Sequence, residues 1–296
     1  MKLQGAYTAL ITPFNDDKSV DFEGLKKLTE FQLQRSISGL LPLGTTGETP
    51  TLSDSEKVAI IELVVANVAG RVPVMVGTGT NSTETTIKNT LRAKELGADC
   101  ALIVNPYYNK PSQEGLFRHF EAVSTAVEFP IVVYNIRSRT GVNIETNTML
   151  RIAALPNIIG VKEASGDIAQ MTDVIRLIQN ERDDFSVLSG DDALTFPLMA
   201  LGGRGVISVA SNLVPDKISD LVGLALEQDF MAARELHLKL TPIFRDLFIE
   251  TNPVPLKFAM SKVGLPSGPV RLPLYDLTEK SKMQLVQTLK EEQLLK

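Results

Sequence analysis

Ile158-Ile159-Gly160-Val161-Lys162-Glu163-Ala164-Ser165-Gly166 begins as a short apolar run, stops at a lysine and then turns. A run of this length, continuously apolar rather than alternating, suits a parallel strand buried on both faces. Similar runs lie to either side. Upstream are Ala6 to Ile11, Gly39 to Leu43, Val72 to Val76, Cys100 to Val104 and Ile131 to Tyr134; downstream are Phe185 to Ser189 and Gly205 to Val209. Together they make eight, spaced by roughly 20 to 35 residues, the scale of a βα unit.

Helix-length amphipathic stretches fill the gaps: Phe22 to Gln34, Ser53 to Val68, Thr83 to Leu96, Glu114 to Val127, Asn147 to Ala154, Ile168 to Asn180 and Ala193 to Leu201. Ser53 followed by Glu56 predicts a capping box, and Gly97 a helix stop. Eight strands alternating with helices predict an α/β fold, a (β/α)8 TIM barrel. The rival is a doubly wound sheet, but no GxGxxG fingerprint follows the first strand. Beyond Val209 the pattern turns helical at Asp216 to Glu227, Phe230 to Phe248, Pro255 to Val263 and Thr278 to Leu295. The expected organisation is a catalytic barrel over 1–215 with a C-terminal helical extension over 216–296 packed on it.

Composition narrows the chemistry. The 296 residues carry 30 Lys and Arg against 35 Asp and Glu, a net charge of −5. No basic stripe points to nucleic acid or an anionic membrane surface. A single cysteine, Cys100, excludes an intrachain disulfide and Cys-rich metal sites. Two histidines, His119 and His237, leave little for a His-based metal site; both fall in helical stretches and are expected at the surface or partly packed. No apolar run reaches membrane-spanning length, and Pro13 and Asp16 come too early for a signal peptide. The expectation is a soluble cytoplasmic protein.

In such a barrel the chemistry sits where strands end. Lys162 ends the sixth run. Burial disfavours its charged form, and a neutral amine attacks carbonyls and forms Schiff bases. It could equally snorkel to solvent or pair with Glu163. The second run ends in Gly44-Thr45-Thr46-Gly47-Glu48, a turn able to hold a carboxylate or simply a glycine-rich connection. The fourth and fifth runs end in Tyr107-Tyr108 and Tyr134, phenols suited to proton relay or to interface packing. Arg139 offers a fork for a carboxylate, or is one more surface arginine. Asp191 and Asp192 after the seventh run argue against a phosphosugar. Arg204 precedes a strand and is expected at the opposite end of the barrel, as is Cys100.

These stretches occur together in a recognisable order: GTTGE at 44–48, PYYNKPSQEG at 106–115, YNIRSRTG at 134–141, GVKEASGD at 160–167, LSGDD at 188–192 and NPVPLK at 252–257. Over essentially its whole length the chain resembles the pyruvate-dependent class I aldolase family that includes N-acetylneuraminate lyase, and Arg139 within SRTG is similar to the dihydrodipicolinate synthase branch. The resemblance implies that Lys162 forms an imine with pyruvate. It implies a proton relay of Thr45, Tyr134 and Tyr108, with Tyr108 reaching into a neighbouring subunit's site. It assigns the pyruvate carboxylate to Thr46 and the carboxylate of the incoming aldehyde to Arg139, with Gly190 and Ile207 bordering the site through their backbone. The implied reaction condenses pyruvate with L-aspartate 4-semialdehyde to 4-hydroxy-tetrahydrodipicolinate, on the diaminopimelate route to lysine, without cofactor or metal. A sugar-acid or sialic-acid lyase of the same superfamily is the alternative. A homotetramer built as a dimer of dimers is implied as well.

Two departures from the family pattern stand out. Arg137 replaces a common proline. Lys57 and Thr85 stand where lysine-inhibited members carry a His and a Glu, although Asn81 and Tyr107 match. A cationic Lys57 repels an ammonium ligand, so feedback by L-lysine is expected to be weak or absent.

Overall fold

The computed structural model describes residues 1–179 and 181–295. Eight strands form in chain order: β1 (Gly5–Ala9), β2 (Gly39–Leu41), β3 (Met75–Gly77), β4 (Cys100–Val104), β5 (Ile131–Asn135), β6 (Ile158–Glu163), β7 (Ser186–Ser189) and β8 (Gly205–Ser208). All neighbouring pairs are parallel, in the order β2-β1-β8-β7-β6-β5-β4-β3. A parallel bridge between Leu40 and Val74 joins the two ends of that order and closes the barrel. The expected (β/α)8 TIM barrel is therefore the fold.

The helices are α1 (Phe22–Leu33), α2 (Asp54–Val68), α3 (Thr83–Glu95), α4 (Gln113–Ala126), the single turn α5 (Arg137–Thr140), α6 (Thr146–Ala153), α7 (Ile168–Gln179), α8 (Thr195–Ala200), α9 (Pro215–Leu226), α10 (Phe230–Asp246), α11 (Val254–Lys262) and α12 (Glu279–Glu291). Asn180, the last residue of the helical stretch expected from Ile168, lies outside the described residues. The Ser53 capping box forms: Ser53 Oγ accepts from Glu56 N at 3.2 Å, and Ser53 N donates to Glu56 Oε2 at 2.8 Å. Such a cap contributes about 1 kcal/mol.

Apolar side chains sort into two layers, as alternation along each strand requires. Val132, Leu102, Leu188 and Ile207 fill the barrel interior, while Ile131, Val133, Ile103 and Val161 pack outward under the helices. Helix α9 packs on β1 and β8 through Ile218, Leu221, Val222 and Ala225. It thus completes the eighth βα unit, although its sequence lies within the stretch expected as the extension. Helices α10 to α12 follow, and α11 lies against the loop after β8.

The seam between β1 and β8 depends on glycine. Gly205 has φ +149°, and a Cβ there would lie 2.0 Å from the Gly5 carbonyl oxygen. No rotamer relieves a clash with backbone, so Gly205→Ala must force the two strands apart. We expect a loss of at least about 2 kcal/mol in urea denaturation. An unchanged midpoint would show that the seam tolerates the methyl group.

Candidate active site

The C-terminal ends of the strands open onto a cavity of about 350 Å³. Lys162, Tyr134, Thr45, Thr46, Arg139 and Gly190, all singled out in the sequence, line it.

Lys162 is 5% exposed and sits opposite Tyr134 in the β5–β6 register. Paired residues of parallel strands share a face, and the Lys162 ammonium position lies 4.3 Å above the Tyr134 ring. A register shift places Lys162 there. Ile131 pairs with Ile158, but Val132 pairs with Gly160, so β6 carries one extra residue. Ile158 packs outward, and unbroken alternation from it would send residue 162 outward too. The bulge inverts the parity and turns Lys162 inward. Glu163 consequently faces the other way, where its carboxylate accepts from Asn135 Nδ2 and Ser165 N. The reading in which Glu163 pairs with Lys162 is thereby excluded.

Burial is the main force on the Lys162 amine and lowers its pKa to about 7. The Asp192 charge opposes that drop and the Arg139 charge adds to it. Burial likewise pushes the Tyr134 phenol up to about 12, against the Arg139 charge and a hydrogen bond with Thr45. At neutral pH the amine titrates while the phenol keeps its proton.

Thr45 and Thr46 occupy a 3-10 turn, Thr45–Gly47, directly after β2. Asn252 Nδ2 donates to Thr46 Oγ1 at 3.0 Å, which leaves the Thr46 hydroxyl proton free to point elsewhere. Gly190 follows β7. A Cβ on it would lie 3.0 Å from Lys162 Cγ and 2.9 Å from Ala164 Cβ, so the missing side chain is what lets the lysine pass. Arg139 lies on α5 at the cavity rim, exposed, with Nη2 donating to the Asn252 carbonyl at 3.4 Å. Arg137, two residues earlier on the same turn, is exposed and does not line the cavity.

Two expected site residues lie elsewhere. Tyr108 is 89% exposed at φ +74°, outside the cavity, which is lined by Tyr107 instead. Within one chain the hydroxyl relay therefore runs only from Thr45 to Tyr134. Ile207 belongs to the interior apolar layer, and the cavity wall after β8 comes from Val209. His119 is buried rather than superficial, its Nδ1 2.9 Å from Thr83 Oγ1, and burial lowers its pKa to about 4. Neither it nor the partly buried His237 lines the cavity. Arg204 pairs with Asp183 at 2.9 Å, at the N-terminal end of β8.

Sequence reasoning missed two buried polar groups. Asn252 bridges Thr46 and Arg139. Asp192, raised in pKa chiefly by burial, accepts from Val209 N and Ala210 N at 3.0 Å each. The motifs around them were visible, but nothing in spacing showed where their side chains pointed.

The arrangement is a desolvated amine beside a phenol and two threonine hydroxyls, with a guanidinium at the rim. It suits attack on a carbonyl of an anionic substrate. Comparison with known proteins gives the same direction. Residues 2–292 match the sequence model of the Dihydrodipicolinate synthetase family. A 4-hydroxy-tetrahydrodipicolinate synthase from Protochlamydia amoebophila is 54% identical over 291 residues, covering 98% of this chain and 97% of that one. The crystal structure of dihydrodipicolinate synthase from Thermotoga maritima superposes with a TM-score of 0.97 at 42% identity, over 100% of both chains. A chloride-inhibited dihydrodipicolinate synthase from Acinetobacter baumannii, complexed with pyruvate, gives 0.96 at 39% identity, over 99% of this chain and 100% of that one. With its barrel, its strand-end lysine and a match along nearly its whole length, the chain belongs to the dihydrodipicolinate synthase family.

Proposed function

We propose that this chain is a Schiff-base lyase that condenses pyruvate with L-aspartate 4-semialdehyde to give 4-hydroxy-tetrahydrodipicolinate. The observation that carries the reading is the Lys162 amine, buried at a strand end with its pKa lowered to about 7 and facing a cavity ringed by hydroxyls. The names of the matched relatives support the substrates, and one of those relatives holds pyruvate.

The neutral amine attacks the keto carbon of pyruvate, and the resulting carbinolamine loses water to give an imine. The protonated imine draws electrons from the methyl carbon, which loses a proton and becomes an enamine. That carbon attacks the aldehyde. The substrate's own amine then adds to the imine carbon, displaces Lys162 and closes the ring. Thr45 and Tyr134 are placed to relay the protons. Thr46, accepting from Asn252, has its hydroxyl proton available for the pyruvate carboxylate. Arg139 at the rim meets the carboxylate of the second substrate. No step calls for a cofactor.

Tyr108 fits the relay only across a subunit boundary. The 89% exposure of the side chain supports entry into a second copy, and the family resemblance supports a homotetramer of paired dimers. The cytoplasm suits a chain whose one cysteine, Cys100, is a buried free thiol. No helix among the described residues is long and apolar enough to cross a membrane.

Borohydride with pyruvate should fix a mass adduct on the peptide that carries Lys162. Lys162→Ala should abolish it, and an unmodified Lys162 peptide in the native chain would overturn the mechanism. Arg139→Ala should keep the adduct yet lose roughly a hundredfold in kcat/KM for the semialdehyde, the scale of one charged substrate contact.

The pH dependence has a definite sign. Attack needs the neutral amine, so the rate of imine formation should rise through pH 7 and level off above it. Removing the Arg139 charge favours the ammonium and should move the midpoint up, whereas Asp192→Asn should move it down. A midpoint at the ordinary lysine value would contradict the desolvated site.

Feedback is the third expectation. Lys57 lines the outer part of the cavity, its Nζ 3.7 Å from Asp54 Oδ1. L-lysine should inhibit weakly or not at all in a steady-state assay, and half-inhibition at sub-millimolar lysine would refute this.

A further inference from the structure

Glu48 closes the threonine turn but does not line the cavity. Its backbone is left-handed at φ +53° and ψ 33°, and its N–H donates to the Thr45 carbonyl at 3.1 Å. Its carboxylate points away, into the tail. Oε1 lies 2.6 Å from Lys257 Nζ, on α11, and both side chains are almost fully buried, at 0% and 2% exposure. Oε2 accepts from Arg271 N at 2.9 Å. Lys257 Nζ donates to the Pro269 carbonyl at 2.9 Å and lies 4.1 Å above the Phe14 ring. Phe14 N in turn donates to the Ser267 carbonyl at 3.2 Å.

The entry to the same helix holds the turn a second time, through Asn252 and Thr46. The tail thus holds the turn at residues 46 and 48, through Asn252 just ahead of α11 and Lys257 within it. Thr46 and its neighbour Thr45, which hydrogen-bonds Tyr134, line the cavity that holds Lys162.

Stability alone does not explain the choice of an ion pair. Two charges taken out of water lose hydration that their attraction roughly repays, and a well-packed apolar pair of similar volume serves folding as well. An ion pair with fixed partners on each side instead sets distance and direction. It also holds a non-glycine residue in a left-handed conformation that such residues seldom adopt.

We propose that the buried Glu48–Lys257 pair is a positioning device, which keeps Thr45 and Thr46 aligned with Lys162 and Tyr134 and so governs proton transfer on the bound imine rather than imine formation. The proposal rests on the Schiff-base reading above. Lys162 stands on β6, so the bond to pyruvate is made outside the turn, whose share in that step is the Thr46 contact to the carboxylate, a binding contribution that saturating pyruvate offsets. The methyl proton, by contrast, leaves through the hydroxyls that the turn carries. A misplacement of about 1 Å there costs on the order of a hundredfold in rate.

The test compares Glu48→Gln, Lys257→Met and the double variant with the native chain. Two readouts are needed: borohydride trapping of pyruvate, and exchange of pyruvate methyl protons for solvent deuterium followed by NMR. The trapping yield at saturating pyruvate should stay within about twofold, while exchange and kcat fall together by roughly tenfold to a hundredfold. The single variants leave one buried partner unpaired and should melt earlier. The double variant should recover much of the melting temperature but not the exchange rate, which separates positioning from stability. Exchange at the native rate in the double variant would overturn the proposal. So would trapping and exchange falling in equal proportion, since that marks general collapse of the site. If the native chain gives no adduct, the Schiff-base reading itself fails, and the outcome is distinct from the other two.

Discussion

Everything in the site depends on keeping one lysine amine out of water. An ammonium at a strand end is ordinary when it reaches solvent, but Lys162 does not. The closed barrel provides apolar walls below it, and the extra residue in β6 turns it toward them. Without that bulge the same sequence would send the lysine out under the helices, and the desolvation that lowers its pKa would lose its geometric basis. The Tyr134 ring beneath the amine adds a second control. Its face attracts the ammonium and so softens the desolvation penalty, while its buried hydroxyl retains a proton.

A site of this kind needs hydroxyls held to within a fraction of an ångström, and a short turn does not hold them alone. The tail performs that task. Asn252 reaches Thr46 and accepts from Arg139 through its carbonyl, and Lys257 reaches Glu48. Arg271 adds a salt bridge from the tail to Glu56, the same glutamate that caps α2. The stretch expected to be an appendage is therefore wired to the catalytic face, and its first helix is part of the barrel wall. A division at residue 215 follows the pattern of apolar runs but not the pattern of contacts.

The barrel was legible because eight buried parallel strands leave continuous apolar runs at βα spacing, a mark shared with the doubly wound sheet, against which the missing GxGxxG spoke. Their ends shifted by only a few residues, as with Val72 to Val76 against Met75–Gly77. Lys162, Thr45, Thr46, Tyr134 and Arg139 were legible because strand ends are where barrels place chemistry, Gly190 only through the family resemblance, and all six line the cavity. The remainder was hidden for physical reasons. A bulge depends on how two strands pair, which one strand's sequence does not encode. Asn252 and Lys257 act over separations of more than 200 residues, through contacts that exist only once the tail has docked. Helix α9 has the same amphipathic pattern whether it packs on a barrel or on a neighbouring helix. Tyr108 has no place in the cavity of a single chain.

The charge arrangement resolves a conflict built into the chemistry. Pyruvate is an anion and the semialdehyde, a zwitterion, also presents a carboxylate, while the chain carries a net charge of −5, so attraction for these carboxylates must come from local cations. The nucleophile, however, must be uncharged. A second positive side chain serves both ends: Arg139 presents a guanidinium at the rim, and its field further lowers the Lys162 pKa. Asp192 works in the opposite direction, its carboxylate held by two backbone N–H groups and favouring the ammonium. Burial lowers the lysine pKa and Asp192 limits the drop, so near 7 a share of the amine is neutral and able to attack. The electron sink is the protonated imine that forms afterwards, a different species from the free amine. Lysine thus does within one site what an imidazole does elsewhere, in a chain whose two histidines both lie outside the cavity.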